Sequence, residues 1–148
     1  MSLIQQSVRN LSGRNVVIVG GKRTPIGTFM GGLSNLTGPQ LGTIATKGAI
    51  SASGISAEDI EEVYLGNVNP AGSGQAPARQ VTMGSGLRVD TPTTTVNKVC
   101  ASGMKTVMLG ATAIRVGDRN TILCGGFESM SKAPHYLFLR KPTGYGHV

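Results

Sequence analysis

Residues 93–105 read TTTVNKVCASGMK, and the backbone preference changes character inside this stretch. The run at 93–99 (TTTVNKV) is dense in β-branched side chains, which fit a pleated strand. From about residue 100 to 116, Met104, Val107, Met108, Ala111 and Ile114 recur at helical spacing as an apolar stripe, which predicts a long helix. A cysteine, Cys100, therefore stands where a strand gives way to a helix.

The same alternation extends in both directions. Residues 15–20 (NVVIVG) form a short β-branched run closed by glycine and read as a buried strand. A turn-rich loop follows at 22–32. A helix is predicted to start near Thr37, with Pro39 in its first turn, an inner face of Leu41, Ile44, Ala45 and Gly48, and its end at Gly54. Ser56, followed by Asp59, caps one short turn. Residues 62–68 (EVYLGNV) read as the second strand and 75–84 as a second helix. The fourth strand is at 121–125 (TILCG). Beyond Ser129 the pattern fades into a loop with Pro134, Pro142 and Gly144. This order, β-α-β-α-β-α-β, predicts an α/β layered domain with a largely parallel sheet.

Composition narrows the function. The 148 residues are 39% hydrophobic and 14% charged, and no apolar run reaches the roughly 20 residues of a membrane span. The net charge of +7 is spread singly along the chain, and with three Tyr, three Phe and no Trp there is little to stack on bases. Nucleic acid is not the expected partner; an anionic, phosphate-bearing small ligand suits the charge equally well. Cys100, Cys124, His135 and His147 lack the paired spacing of a zinc site. The glycines at 20 and 21 follow a strand, but no G-x-G-x-x-G or P-loop pattern is present. Residues 1–14 carry no acid, two arginines and an apolar helical face. They read either as a tail or as a short mitochondrial-type presequence.

Chemistry concentrates at Cys100. A helix N-terminus presents unpaired N–H groups and about half a positive charge. Both favour a thiolate, and the same N–H groups suit the oxyanion formed when a thioester is attacked. Ala101, Ser102 and Gly103 are small and leave room for an acyl group. Local physics alone leaves two readings open, a nucleophile or a small core residue.

Five blocks go further. Residues 97–105 (NKVCASGMK) resemble the active-site motif of the thiolase family, specifically its acetyl-CoA acetyltransferases. Residues 23–27 (RTPIG), 66–68 (GNV), 74–80 (GQAPARQ) and 125–131 (GGFESMS) resemble further blocks of that family, in family order, with Phe127 where Met is usual. The resemblance implies a thiolase-like layered α/β fold. Its partition would be a tail or presequence at 1–14, a partial N-terminal domain at 15–128 and the start of a loop domain at 129–148. It also implies catalysis through an acyl-Cys100 intermediate. Two acetyl-CoA would condense to acetoacetyl-CoA and CoA, or the reverse thiolysis would run, with the Cys100 N–H in the oxyanion hole. The coenzyme A thioester would be substrate, with no tightly bound cofactor and no metal. Homodimers or homotetramers would form through the strand at 93–99, which begins at Thr93, and the compartment would be the mitochondrial matrix or the cytoplasm.

The other candidates receive lesser roles. Cys124 lies inside a strand and does not match the family's second catalytic cysteine, so it reads as core. Glu128 reads as structural at a strand end. His135 and His147 match no family catalytic histidine. Arg79 reads as a loop or subunit anchor, or as a surface ion pair. Family members are more than twice as long, and the resemblance places their base, their activating histidine and most of the CoA-binding loop domain beyond this sequence. An isolated chain is then expected to be inactive or to stop at partial acylation, and to expose an unpaired sheet edge and an apolar helix face. The alternative reading is a non-catalytic product that associates with full-length subunits.

Overall fold

Three strands share one parallel sheet, in the order β2-β1-β3, in a computed structural model that describes residues 14–136. The tail reading, except Arg14, and His147 lie outside the described residues. The elements are α1 (Gly38–Ser53), β1 (Glu62–Gly66), α2 (Pro77–Gly84), β2 (Thr93–Val96), α3 (Ser102–Val116) and β3 (Ile122–Gly126). Single 3-10 turns occupy Ala57–Asp59 and Met130–Lys132. Parallel neighbours require crossovers, and α2 and α3 supply them. The register sets Val63 beside Thr93 on one side and beside Leu123 on the other.

The expected helix signals operate. Thr37 caps α1: its Oγ1 accepts the Gln40 N–H at 3.3 Å, while Gln40 Oε1 accepts the Thr37 N–H at 2.8 Å. Gly54 closes α1 in the left-handed region at φ 70°.

The two faces of the sheet are covered differently. On one face Val63 and Leu65 join Ile60, Ala78, Val81, Leu87 and Phe127 in the apolar core beneath α2 and α1. On the other face α3 lies close to the strands. A Cβ on Gly66 would stand 2.7 Å from the Ser102 carbonyl carbon, and one on Gly110 would stand 2.5 Å from Cys124 Sγ. Only small residues permit that approach.

That closeness decides which helix faces are buried; it leaves α3 with the exposed apolar face that was expected and corrects the inner face expected for α1. The residues of α3 that are buried are Ser102, Thr106, Gly110 and Ala113, whereas Met104, Val107 and Met108 of the apolar stripe are exposed. Thr106 tolerates burial because its single hydroxyl proton has two carbonyl acceptors in reach, Gly103 O at 2.6 Å and Gly125 O at 3.0 Å. In α1 the buried positions are Gly38, Pro39, Gly42 and Thr46, and Ile44 faces outward. Gly42 again marks the contact, since a Cβ there would meet Val81 at 2.8 Å and Phe127 at 2.9 Å.

Residues 15–20 are a second correction. They are not a strand, and Val17, Ile18 and Val19 are 71%, 83% and 57% exposed. A β-branched run becomes a strand only where a neighbour takes up its backbone hydrogen bonds. Here the segment passes from Arg14, which donates to Asn120 Oδ1 at 3.1 Å, toward the far end of β3, with no ladder between them. Smaller differences concern ends: β1 stops at Gly66, β2 stops at Val96 and α3 starts at Ser102 rather than at Cys100.

Candidate active site at the strand-to-helix elbow

Between β2 and α3, residues 97–101 make an elbow at the carboxyl end of the parallel sheet, the end where α/β folds place their ligands. Val99 adopts φ 49°, a left-handed conformation rare for a β-branched residue and costing about 1–2 kcal/mol. Hydrogen bonds hold it there. Its N–H donates to Asn97 Oδ1 at 3.0 Å, and its carbonyl accepts from Ser102 Oγ at 2.6 Å. Ser102 Oγ also accepts the Lys98 N–H at 2.8 Å. Ser102 is buried, and Gly66 lets it sit directly against the end of β1.

The elbow presents Cys100 exposed, just ahead of the helix. The cysteine is outside the helix proper, since Ala101 is the N-cap residue and the first helical turn begins with Ser102 and Gly103. The Ser102 N–H donates to Val99 O at 3.0 Å and the Ala101 N–H to Lys98 O at 3.1 Å, so the helix start leaves the Gly103 N–H as its first donor without a backbone partner among the described residues. An exposed thiol beside a 15-residue helix's N-terminus has access for an incoming thioester and donors nearby for an oxyanion.

The other sequence candidates fall into place around it. Glu128 is a clamp. Its carboxylate accepts from Asn67 Nδ2 at 2.8 Å, from the Val68 N–H at 2.8 Å and from the Asn69 N–H at 3.3 Å, so it ties the loop after β1 to the loop after β3. Arg79 donates to Thr91 O at 2.8 Å and to Val89 O, which makes it an anchor of the loop before β2 rather than half of an ion pair. Cys124 lies mid-strand under Gly110 of α3, and burial pushes its thiol up to about 11. His135 is exposed in the final loop.

Two residues of the site lay inside the motif blocks at 66–68 and 97–105 but were given no role of their own by sequence. Asn67 is buried, with its amide nitrogen on Glu128 and its Oδ1 unpartnered among the described residues. Asn97 bridges two loops: its Nδ2 donates to Val68 O at 3.3 Å while its Oδ1 holds Val99. The signal for both is an asparagine directly after a strand, where Asx turns form. A cleft of about 390 Å³ opens elsewhere, between the loop carrying Arg23 and Phe29 and the end of β3. Cys100 is not part of its wall, so volume does not locate this chemistry. Among the described residues no group of three or more His, Cys, Asp or Glu is placed to hold a metal, and no helix is long and apolar enough to cross a membrane.

The chain is a parallel α/β domain that presents an exposed cysteine on a strand-to-helix elbow, a placement that suits a covalent nucleophile. Comparison narrows the class: residues 16–146 match the family model described as thiolase, N-terminal domain, and the chain belongs to the thiolase family. Among curated relatives, a mitochondrial acetyl-CoA acetyltransferase (B) of Xenopus laevis is 54% identical over 133 residues, covering 90% of this chain and 31% of that protein. The mitochondrial acetyl-CoA acetyltransferase of Homo sapiens is 50% identical over 135 residues, covering 91% of this chain and 31% of its own length. The crystal structure of the Acat5 thiolase from Ascaris suum in complex with coenzyme A superposes with a TM-score of 0.84 at 41% identity, covering 90% of this chain and 35% of that one. The chain thus spans about a third of the length of the relatives it matches.

Proposed function

We propose that this chain carries the nucleophile of an acetyl-CoA C-acetyltransferase. The observation that carries the reading is the exposed Cys100 on its hydrogen-bonded elbow, in a chain of the thiolase family. The Cys100 sulfur attacks the carbonyl carbon of acetyl-CoA, a new S–C bond forms, and the bond to the CoA sulfur breaks. The departing CoA thiolate takes up a proton. The Cys100 N–H, with the first unbonded N–H of the helix start, stabilises the oxyanion between these events. A second acetyl-CoA then loses a methyl proton to a base, and its carbanion attacks the acyl-Cys100 carbonyl. A C–C bond forms, the cysteine thiolate is expelled, and acetoacetyl-CoA results. The reverse sequence is thiolysis.

In this reading residues 15–128 are part of the N-terminal domain and 129–148 begin the loop domain. The base for the second step is supplied from outside this sequence, and coenzyme A thioesters are substrates rather than resident cofactors. The open outer edge of β2 supports a dimer strand at 93–99. The mitochondrial names of the relatives support a mitochondrial site of action.

A second reading has its own observation. Exposed Val17 and Ile18 and the outward stripe of Met104, Val107 and Met108 give the chain apolar surface suited to joining longer subunits without catalysis. One experiment separates the two: incubation of the purified chain with acetyl-CoA and measurement of intact mass. One added acetyl group, absent from Cys100→Ala, is the expected outcome. An unmodified chain would sink acyl transfer by this chain alone and favour a role in partnership with longer subunits.

A further inference from the structure

The left-handed conformation of Val99 needs a cause, because the residue is 65% exposed and burial does not impose it. A chain of hydrogen bonds supplies it. The Glu128 carboxylate accepts the N–H groups of Val68 and Asn69, which fixes the loop after β1. The Val68 carbonyl accepts Asn97 Nδ2, which fixes the asparagine side chain on that loop. Asn97 Oδ1 accepts the Val99 N–H, which fixes the residue preceding Cys100. Three loops are thus linked in series, and the exposed Asn97 amide is the link between the loop after β1 and the elbow.

We propose that Asn97 is a positioning residue for the nucleophile: it transmits the fixed geometry of the Glu128-clamped loop to Val99 and so sets Cys100 against the N-terminus of α3. This rests on the reading of Cys100 as the acylated residue. Ser102 performs a different task. It is buried, packed on Gly66, and its hydroxyl joins Lys98 to Val99, so its loss disturbs the fold. Asn97 is exposed, and water replaces its two bonds without leaving a buried group unpaired. Its removal therefore loosens the elbow and spares the sheet.

The test compares the purified chain with Asn97→Ala and Asn97→Ser, in whatever state of association it adopts. Two readouts are taken together: backbone hydrogen exchange, and acetyl incorporation from acetyl-CoA. Asn97→Ala is expected to speed exchange at 97–101 by about tenfold, leaving β1 and β3 unchanged. It is expected to slow acetyl transfer by about tenfold or more, since small misplacement of a reacting atom is expensive. Asn97→Ser keeps an acceptor that reaches the N–H two residues on, and restores most of both. Unchanged exchange at 97–101 overturns the proposal. So does faster exchange throughout β1 and β3, which would make Asn97 a residue of the fold. If the parent chain takes up no acetyl group, the acyl-transfer reading of the isolated chain fails. The exchange pattern and its rescue by serine then still decide whether Asn97 positions Cys100.

Discussion

The two cysteines of this chain have the same side chain and opposite situations. Cys100 sits on an irregular elbow, exposed, with its backbone defined by hydrogen bonds rather than by packing. Cys124 sits in the middle of β3, pressed against the glycine of a neighbouring helix, and burial pushes its thiol up to about 11. The strand that makes Cys124 easy to place also keeps it inert, because a thiol without access or ionisation is a small hydrophobe. The elbow costs backbone strain at Val99 and returns an accessible sulfur beside helix N–H groups. Reactivity in this fold is a property of position.

The largest expected effect follows directly. With iodoacetamide at pH 8, Cys100 should be alkylated faster than Cys124 by about a hundredfold or more, read by peptide mass spectrometry. In denaturant the two rates should converge. Equal rates in the folded chain would break the comparison.

A smaller effect tests the buried partner. Folding raises the Cys124 thiol from 9.0 to about 11, so the folded state holds a proton that the unfolded state has lost between those values. Its contribution is complete below pH 9 and disappears as pH rises through about 11. Denaturant midpoints should therefore fall across that window, and Cys124→Ala should flatten the fall. Burial also raises the Tyr64 phenol, so part of the alkaline slope survives the substitution. A slope unaltered in Cys124→Ala would show that the thiol is solvated after all.

What the sequence made legible follows the same division between local and distant causes. The strand–cysteine–helix order at 93–116, the Thr37 start and the Gly54 stop are local, set by β-branching, capping atoms and a left-handed glycine, and all are found. The side chain that faces the sheet is not local. In α1 the expected inner face included Ile44, yet Gly38, Pro39, Gly42 and Thr46 are buried, because Gly42 brings the helix close to Val81 and Phe127. In α3 Gly66 and Gly110 likewise keep large residues off the sheet and leave Met104, Val107 and Met108 as the exposed apolar face. Residues 15–20 failed for a related reason, since strand identity depends on a neighbour that sequence alone does not name. At the site, Cys100 was legible because its chemistry and its motif agree. Asn97 was not, since its partners lie 29 residues upstream and two residues ahead, and only the fold joins them.

The closeness of α3 to β3 gives the smallest and most diagnostic effect. A Cβ at Gly110 would stand 2.5 Å from Cys124 Sγ, yet Gly→Ala inside a helix gains about 1 kcal/mol of propensity. Overpacking costs about 1–3 kcal/mol when neighbours cannot yield. The sulfur ends a short side chain that can turn, so Gly110→Ala should sit near the low end, with a net loss of about 1 kcal/mol or less in denaturant unfolding. Removing the sulfur removes the clash and leaves the propensity. In a Cys124→Ala background the same Gly110→Ala change should therefore turn stabilising, a reversal of sign that a double-mutant cycle reads directly. If Gly110→Ala destabilises both backgrounds equally, the cysteine sulfur is not what the added methyl group meets, and the comparison loses its contact between α3 and Cys124. The inertness of Cys124 would then owe nothing to the helix above it, and burial between the strands alone would separate it from Cys100.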